Sequence, residues 1–207
     1  MARMTGHQRR DQLVGVAKEV FAELGYDGAS VEEIAARAQV SKPVVYEHFG
    51  GKEGIYAVVV DRESTTLLNK ITAYIQTEAG GRQIVQASAL AFLHYIEEDP
   101  AGFRVLTRDS PATVTNAGIG GLLSDVADKA TEVLEQFFTR SGLDPATAPL
   151  YAGALVGMVA YVGSWWAAER QPDAESVAAH ITALAYYGLK ELPYNPVDTS
   201  QKSSISD

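Results

Sequence analysis

The chain has 207 residues, no cysteine and a formal net charge of −9, with 46% hydrophobic and 21% charged residues. That length accommodates one or two domains with a real core, because roughly 70% of the unfolded surface is buried at this size. The missing thiols exclude a disulfide framework and a thiolate metal site, and they favour a cytoplasmic address. The N-terminal MARMTGHQRRDQL is basic but runs straight into an amphipathic pattern, so no export signal is read there. Residues 1–62 hold eight Lys and Arg against nine Asp and Glu, whereas residues 63–207 hold nine against seventeen. An acidic remainder repels a polyanion, so any nucleic-acid contact belongs to the N-terminal third.

From Arg9, apolar residues at Leu13, Val16, Ala17, Val20, Phe21 and Leu24 fall on one face at the helical period, and Gly25 supplies a stop. After the turn YDGA, Ser30 with Glu33 three positions on forms a reciprocal capping pattern, opening a second helix with Val31, Ile34, Ala35 and Ala38 on its apolar face. Gln39 and Val40 make a tight connection to Ser41, whose hydroxyl is expected to cap a third helix. Pro43 is tolerated there because first-turn amides lack intrahelical partners. On this third helix Val45 and Phe49 lie four apart and face inward, while Lys42, Val44, Tyr46 and His48 project elsewhere, and Gly50 and Gly51 end it. Two short helices joined by a turn, the second presenting a cation, a phenol and an imidazole, form a helix-turn-helix suited to a major groove. Lys52 opens the next helix, where its ammonium and free backbone amides can hold a phosphate.

The stretches VFAELGY (20–26), SVEEIAARAQVSKPVVYEHF (30–49) and GKEGIYAVVV (51–60) resemble the DNA-binding domain of the TetR family of bacterial transcription regulators. The resemblance implies an all-α homodimer whose third helix reads a palindromic operator and whose variable C-terminal domain binds a small molecule. It also implies base or groove contact from Lys42, Pro43 and Val44, and phosphate contact from Ser30, Tyr46, His48 and Lys52. Two positions depart from the family pattern. Gln39 stands where glycine is usual, so either it takes a backbone conformation that glycine adopts more easily or the turn differs slightly. Glu47, on the recognition helix, must point sideways or accept from a cytosine amino group. Glu32, where some relatives carry a basic residue, is expected to favour the helix dipole.

A long helix follows over 55–79, then helices over about 82–98 and around Phe103 and Leu106, a loop-like SPATVTNAGIGG (110–121), and a helix over 122–140. Two last helices span 145–169 and 174–191, and the polar NPVDTSQKSSISD closes the chain as an expected disordered tail over 195–207. The domain division is read as 1–52 for the DNA-binding domain and 53–194 for a helical effector-binding and dimerisation domain. Gly153, Gly157, Ala160 and Ser164 form a small-residue row that lets another helix approach closely, as a symmetric partner pairing the same two helices would. The uncharged run 150–168 approaches the length of a membrane span, but its small residues and charged flanks favour a buried helix.

His7, His48, His94 and His180 show no metal-ligand spacing, and there is no phosphate loop or nucleophile elbow, so no enzyme, cofactor or metal is expected. Phe92, Tyr95, Phe103, Phe137, Met158, Tyr161, Trp165 and Trp166 supply apolar surface with polar tips, as small-molecule sites do. Arg104 and Arg108 beside them can hold an anionic head group, pointing to an acyl or aromatic effector. The sequence is read as a repressor released from its operator by such an effector. An unswitched dimeric DNA-binding module and a membrane-associated protein stay open as alternatives.

Overall fold

A computed structural model describes residues 4–75, 80–108, 118–190 and 192; the tail over 195–207 and most of the loop-like segment lie outside the described residues. Among the described residues there are nine α-helices and no strand. The chain divides into two compact units, one of 1–70 with 92–125 and the other of 71–91 with 126–207.

The first unit begins with α1 (Gly6–Gly28), which starts earlier than the apolar stripe predicts because Thr5 and Gln8 form a capping box. Val14 belongs to its buried face, whereas Leu24 is exposed. Gly25 does break the helix, with φ 72 and ψ 173, and helical turns resume beyond it. In α2 (Val31–Arg37) the Ser30 hydroxyl accepts from the Glu33 N–H at 3.1 Å. Glu33 does not return the favour; its carboxylate accepts from Arg37 one turn on, at 2.6 Å. Ser41 likewise makes no side-chain cap to α3 (Lys42–Phe49). Pro43 removes one first-turn donor, and the Ser41 carbonyl accepts from the Val44 N–H at 3.0 Å instead. Gln39 has φ 56, the left-handed backbone that glycine adopts more easily.

α4 (Lys52–Ile75) opens at Lys52, where that lysine was placed and ahead of the apolar stretch over 55–79; the predicted end over 76–79 lies outside the described residues. A Cβ on Gly54 would stand 1.9 Å from the Phe49 carbonyl oxygen, so only glycine lets α4 leave α3 this tightly. Leu13, Ala17, Val20, Ile34, Val45, Ile55 and Val59 close the three-helix head around α4. Phe21 and Tyr26 each set a ring edgewise against Tyr56, at 4.9 and 4.8 Å. Further along, α5 (Gly81–Glu98) and α6 (Pro100–Thr107) bring Phe92 and Phe103 edge to face at 6.0 Å. Asp99 caps α6 by accepting from the Gly102 N–H at 2.8 Å. α7 (Ile119–Ser141) begins inside the segment expected to be loop, with Leu122 bonded back to Gly118.

In the second unit, the later part of α7 packs Leu134 and Phe138 against Ala148 and Ala152 of α8 (Ala148–Glu169), which follows a short 3-10 turn, Pro145–Thr147. α9 (Ala174–Lys190) buries Val177, Ala178, Ile181 and Ala185 at the 3.6-residue period. Trp166 is fully buried, and its indole N–H donates to the Pro172 carbonyl at 2.6 Å.

Candidate nucleic-acid interface

The head presents its polar residues on the side of α3 opposite its core contact. Val45 is completely buried, and Phe49 is half-buried beneath the Arg10 guanidinium, 4.4 Å from the ring centroid. Arg10 also donates to the His48 carbonyl at 2.6 Å, tying the end of α3 to α1. Lys42, Pro43 and Tyr46 are exposed on the other side, Tyr46 by 47%, while Val44 and His48 are half-buried at its edges. Glu47 is exposed as well. The rod that sequence periodicity requires is therefore present, with its apolar edge inward and its lysine and phenol outward.

Two flanking residues are engaged within the chain. Ser30 has its oxygen occupied by the Glu33 N–H, which leaves the hydroxyl proton to donate. The Lys52 ammonium donates to the Ala29 carbonyl at 3.0 Å and the Asp27 carbonyl at 3.4 Å, and sits 4.3 Å over the Tyr26 ring. An ammonium has three donors, so one remains after the two carbonyls. Lys42 pairs across the turn with Glu32 of α2, and its ammonium lies 5.7 Å from the Tyr46 ring centroid. The hydrogen bond from Lys42 holds the Glu32 carboxyl below its ordinary pKa, and the same bond holds Lys42 above its own. Glu32 was expected to serve the helix dipole, and the cross-turn pair could not be read from local pattern.

A part-buried polar knot that sequence reasoning missed joins α1, α4, α5 and the start of α6. Lys18 of α1 reaches Asp99 at 2.5 Å and Glu63 of α4 at 3.3 Å. Tyr95 donates its hydroxyl to the other Glu63 oxygen at 2.9 Å. A Cβ on Gly102 would lie 2.4 Å from that hydroxyl and 2.5 Å from Glu63, so α6 approaches the knot only through a glycine. Burial, then the Glu63 charge, pushes the Tyr95 phenol far up. Burial opposes ionisation of both Lys18 and Asp99, but the hydrogen bond between them and the neighbouring charges outweigh it: Lys18 is held above its ordinary value and Asp99 below. Arg108 ties the far end of α6 to α1, donating to the Ala22 and Glu23 carbonyls at 3.2 and 3.3 Å.

The residues proposed for an effector fall in both units. Phe92, Tyr95 and Phe103 are buried in the first, with Arg104 exposed and Arg108 spent on α1. In the second, Trp166 is buried and Met158 half-buried, whereas Phe137, Tyr161 and Trp165 are 42, 79 and 52% exposed. Gly153, Gly157 and Ser164 are exposed and Ala160 half-buried. A cleft of about 220 Å³ in the first unit is lined by Val60, Ser64, Leu68 and Leu122 with Asp61 and Asp125. The Ser64 hydroxyl on that cleft is buried without a hydrogen-bond partner. Two carboxylates on its wall suit it poorly to an anionic head group. Among the described residues no cluster of His, Asp or Glu is arranged to hold a metal.

The family model of bacterial regulatory proteins of the tetR family matches residues 13–59, and that of the tetracyclin repressor-like C-terminal domain matches residues 82–188. The HTH-type transcriptional activator FasR of Mycolicibacterium smegmatis is 31% identical over 193 residues, covering 92% of this chain and 87% of that protein. The chain belongs to the TetR family. It is a DNA-binding transcriptional regulator with an N-terminal helix-turn-helix and a helical C-terminal domain. A TetR-like regulator from Rhodococcus sp. RHA1 shares the fold with a TM-score of 0.73 at 24% identity, over 92% of this chain and 100% of its own. The fatty acid degradation regulator FadR of Bacillus halodurans does so with a TM-score of 0.72 at 19% identity, over 91 and 99%. The family match from 13 to 59 takes in most of α1, all of α2 and α3, and the start of α4.

Proposed function

We propose that this TetR-family regulator is a cytoplasmic homodimer that binds a palindromic operator and is released from it by an apolar or amphipathic effector of the acyl or aromatic class. The observation that carries the reading is the orientation of α3: Val45 buried, Lys42 and Tyr46 exposed on the same eight-residue helix. Lys42, Pro43 and Val44 are assigned to base edges and groove; Ser30, Tyr46, His48 and the remaining donor of Lys52 are assigned to phosphates.

The dimer assignment rests on α8. It is long and apolar enough by length and composition to cross a membrane, yet only 17% of its most apolar window is buried within the chain. A Cβ at Gly153 or Gly157 would meet nothing within 4 Å, so packing inside the chain does not require these glycines. Leu150 and Tyr161 of α8 and Leu184 and Tyr187 of α9 are each more than 60% exposed. A second copy pairing α8 and α9 would cover this surface, and two heads would then share one rigid duplex. Tyr161→Glu should convert the dimer to monomer in sedimentation velocity and abolish operator binding together; a Tyr161→Glu dimer would remove α8 from the interface.

The Bacillus halodurans neighbour regulates fatty acid degradation, which supports the acyl class for an effector here. Titrating operator binding with a fatty acyl thioester and with aromatic carboxylates separates the classes, and no shift from either would leave an unswitched module. Activation is a second reading of the sign, favoured by the name of the Mycolicibacterium smegmatis relative. A reporter placed behind the operator decides it by rising or falling when the regulator is deleted.

A further inference from the structure

Lys42 occupies the first position of α3, where the partial positive charge of the helix N-terminus disfavours a cation. A lysine there opposes the helix dipole, and a neighbouring anion compensates it. In the free protein that anion is Glu32, the second residue of α2, whose carboxylate accepts from the Lys42 ammonium across the turn made by Gln39. Both side chains are open to water, 47% for Lys42 and 62% for Glu32, so neither is held by burial and a competing anion can reach the pair. A DNA phosphate or the acceptor edge of a guanine is such an anion or acceptor.

We infer that Glu32 is an internal competitor for Lys42: its carboxylate takes the place of DNA in the free head and lowers the affinity of the protein for any duplex. The inference rests on the DNA-binding reading of α3. Either Lys42 leaves Glu32 to meet DNA, and the lost pair is subtracted from binding, or it stays and one cation is withheld from the phosphates. The first case weakens base contact; the second reduces the number of counterions released. In both cases the carboxylate acts through Lys42 rather than by touching the duplex. Glu32 is thus a positioning residue that tunes how readily the operator is vacated.

The test measures duplex binding by fluorescence anisotropy with two probes, the tightest duplex selected by the wild-type dimer from a random library and a scrambled duplex of equal length. Glu32→Gln should tighten binding to the selected duplex by about two- to fivefold, the range of an exposed ion pair, and to the scrambled duplex by less. The slope of log affinity against log salt should steepen by up to about 0.9, one phosphate contact. In a Lys42→Met background the same Glu32→Gln change should alter nothing, which separates competition for Lys42 from plain removal of a negative charge near phosphate. Unchanged or weaker binding by Glu32→Gln, or equal tightening with Lys42→Met, would overturn the inference. A wild-type dimer that binds neither probe at low salt would instead overturn the DNA-binding reading on which it stands.

Discussion

Among the described residues, replacing Lys18 by Met removes the one ammonium of α1 paired with the Glu63–Tyr95–Asp99 knot. Glu63 is 5% exposed and would keep its hydrogen bond from the Tyr95 hydroxyl at 2.9 Å; Asp99 would keep the Gly102 N–H at 2.8 Å. Breaking a fully buried ion pair from one side costs about 3–5 kcal/mol, because the remaining charge stays desolvated. Lys18 and Asp99 retain 20 and 27% of their side-chain exposure, so water screens part of that cost. The expected loss is about 2–4 kcal/mol, which at an m-value of about 2 kcal/mol/M lowers the urea midpoint by about 1–2 M. Equilibrium unfolding at pH 7, followed by circular dichroism at several protein concentrations, reads this directly. Glu63→Gln added to Lys18→Met should recover part of the loss, because the orphaned charge is then gone. A midpoint shift below about 0.3 M, or no recovery in the double variant, would show that the knot is solvated and does not hold α6 to the head.

The same knot sets a pH dependence. Asp99 is held below its ordinary value, so its stabilisation is complete above about pH 4 and is lost as pH falls through the folded value; Lys18 is held above its ordinary value, so its contribution is complete below about pH 10 and fades as pH rises through the folded value. The difference in urea midpoint between wild type and Lys18→Met should be flat from about pH 6 to 9 and shrink toward pH 3, and a difference that grew on acidification would contradict the assignment. Gly54→Ala should abolish duplex binding and lower the thermal midpoint, since its Cβ would lie 1.9 Å from the Phe49 carbonyl oxygen; retained binding would mean that α3 and α4 part easily. Lys52→Ala should weaken selected and scrambled duplexes alike and flatten the salt dependence, whereas Lys42→Ala should lose mainly discrimination between them. Equal loss of discrimination from both would overturn the division into phosphate and base contacts.

The head was legible because its punctuation is local. Ser30, Pro43, Gln39 and the Gly50–Gly51 pair each act within four residues, and Val45 and Phe49 read as one edge at the helical period. The Thr5–Gln8 capping box is a local signal of the same kind, but it lies ahead of the apolar stripe and was not read. What sequence periodicity could not supply was contact across distance: Lys18 to Asp99 spans 81 residues and Arg108 to Ala22 spans 86. Tyr95 shows the consequence. An aromatic residue at helical spacing reads as core or cavity alike, and only its hydroxyl bond to Glu63 places it in a polar knot. Glu32 and Lys42 are ten residues apart on different helices, so propensity rules assign each separately and miss the pair. The row on α8 was legible as a small-residue seam, and the proposed second copy is what would cover it.

Nuclease footprinting of the wild-type dimer on the tightest selected duplex tests the central claim most directly. The account predicts an inverted repeat protected at two half-sites whose centres lie about one DNA turn or a multiple of it apart, about 34–36 Å per turn, with protection lost on Lys42→Ala. Protection of a single unrepeated site, or a footprint indifferent to Lys42→Ala, would contradict it.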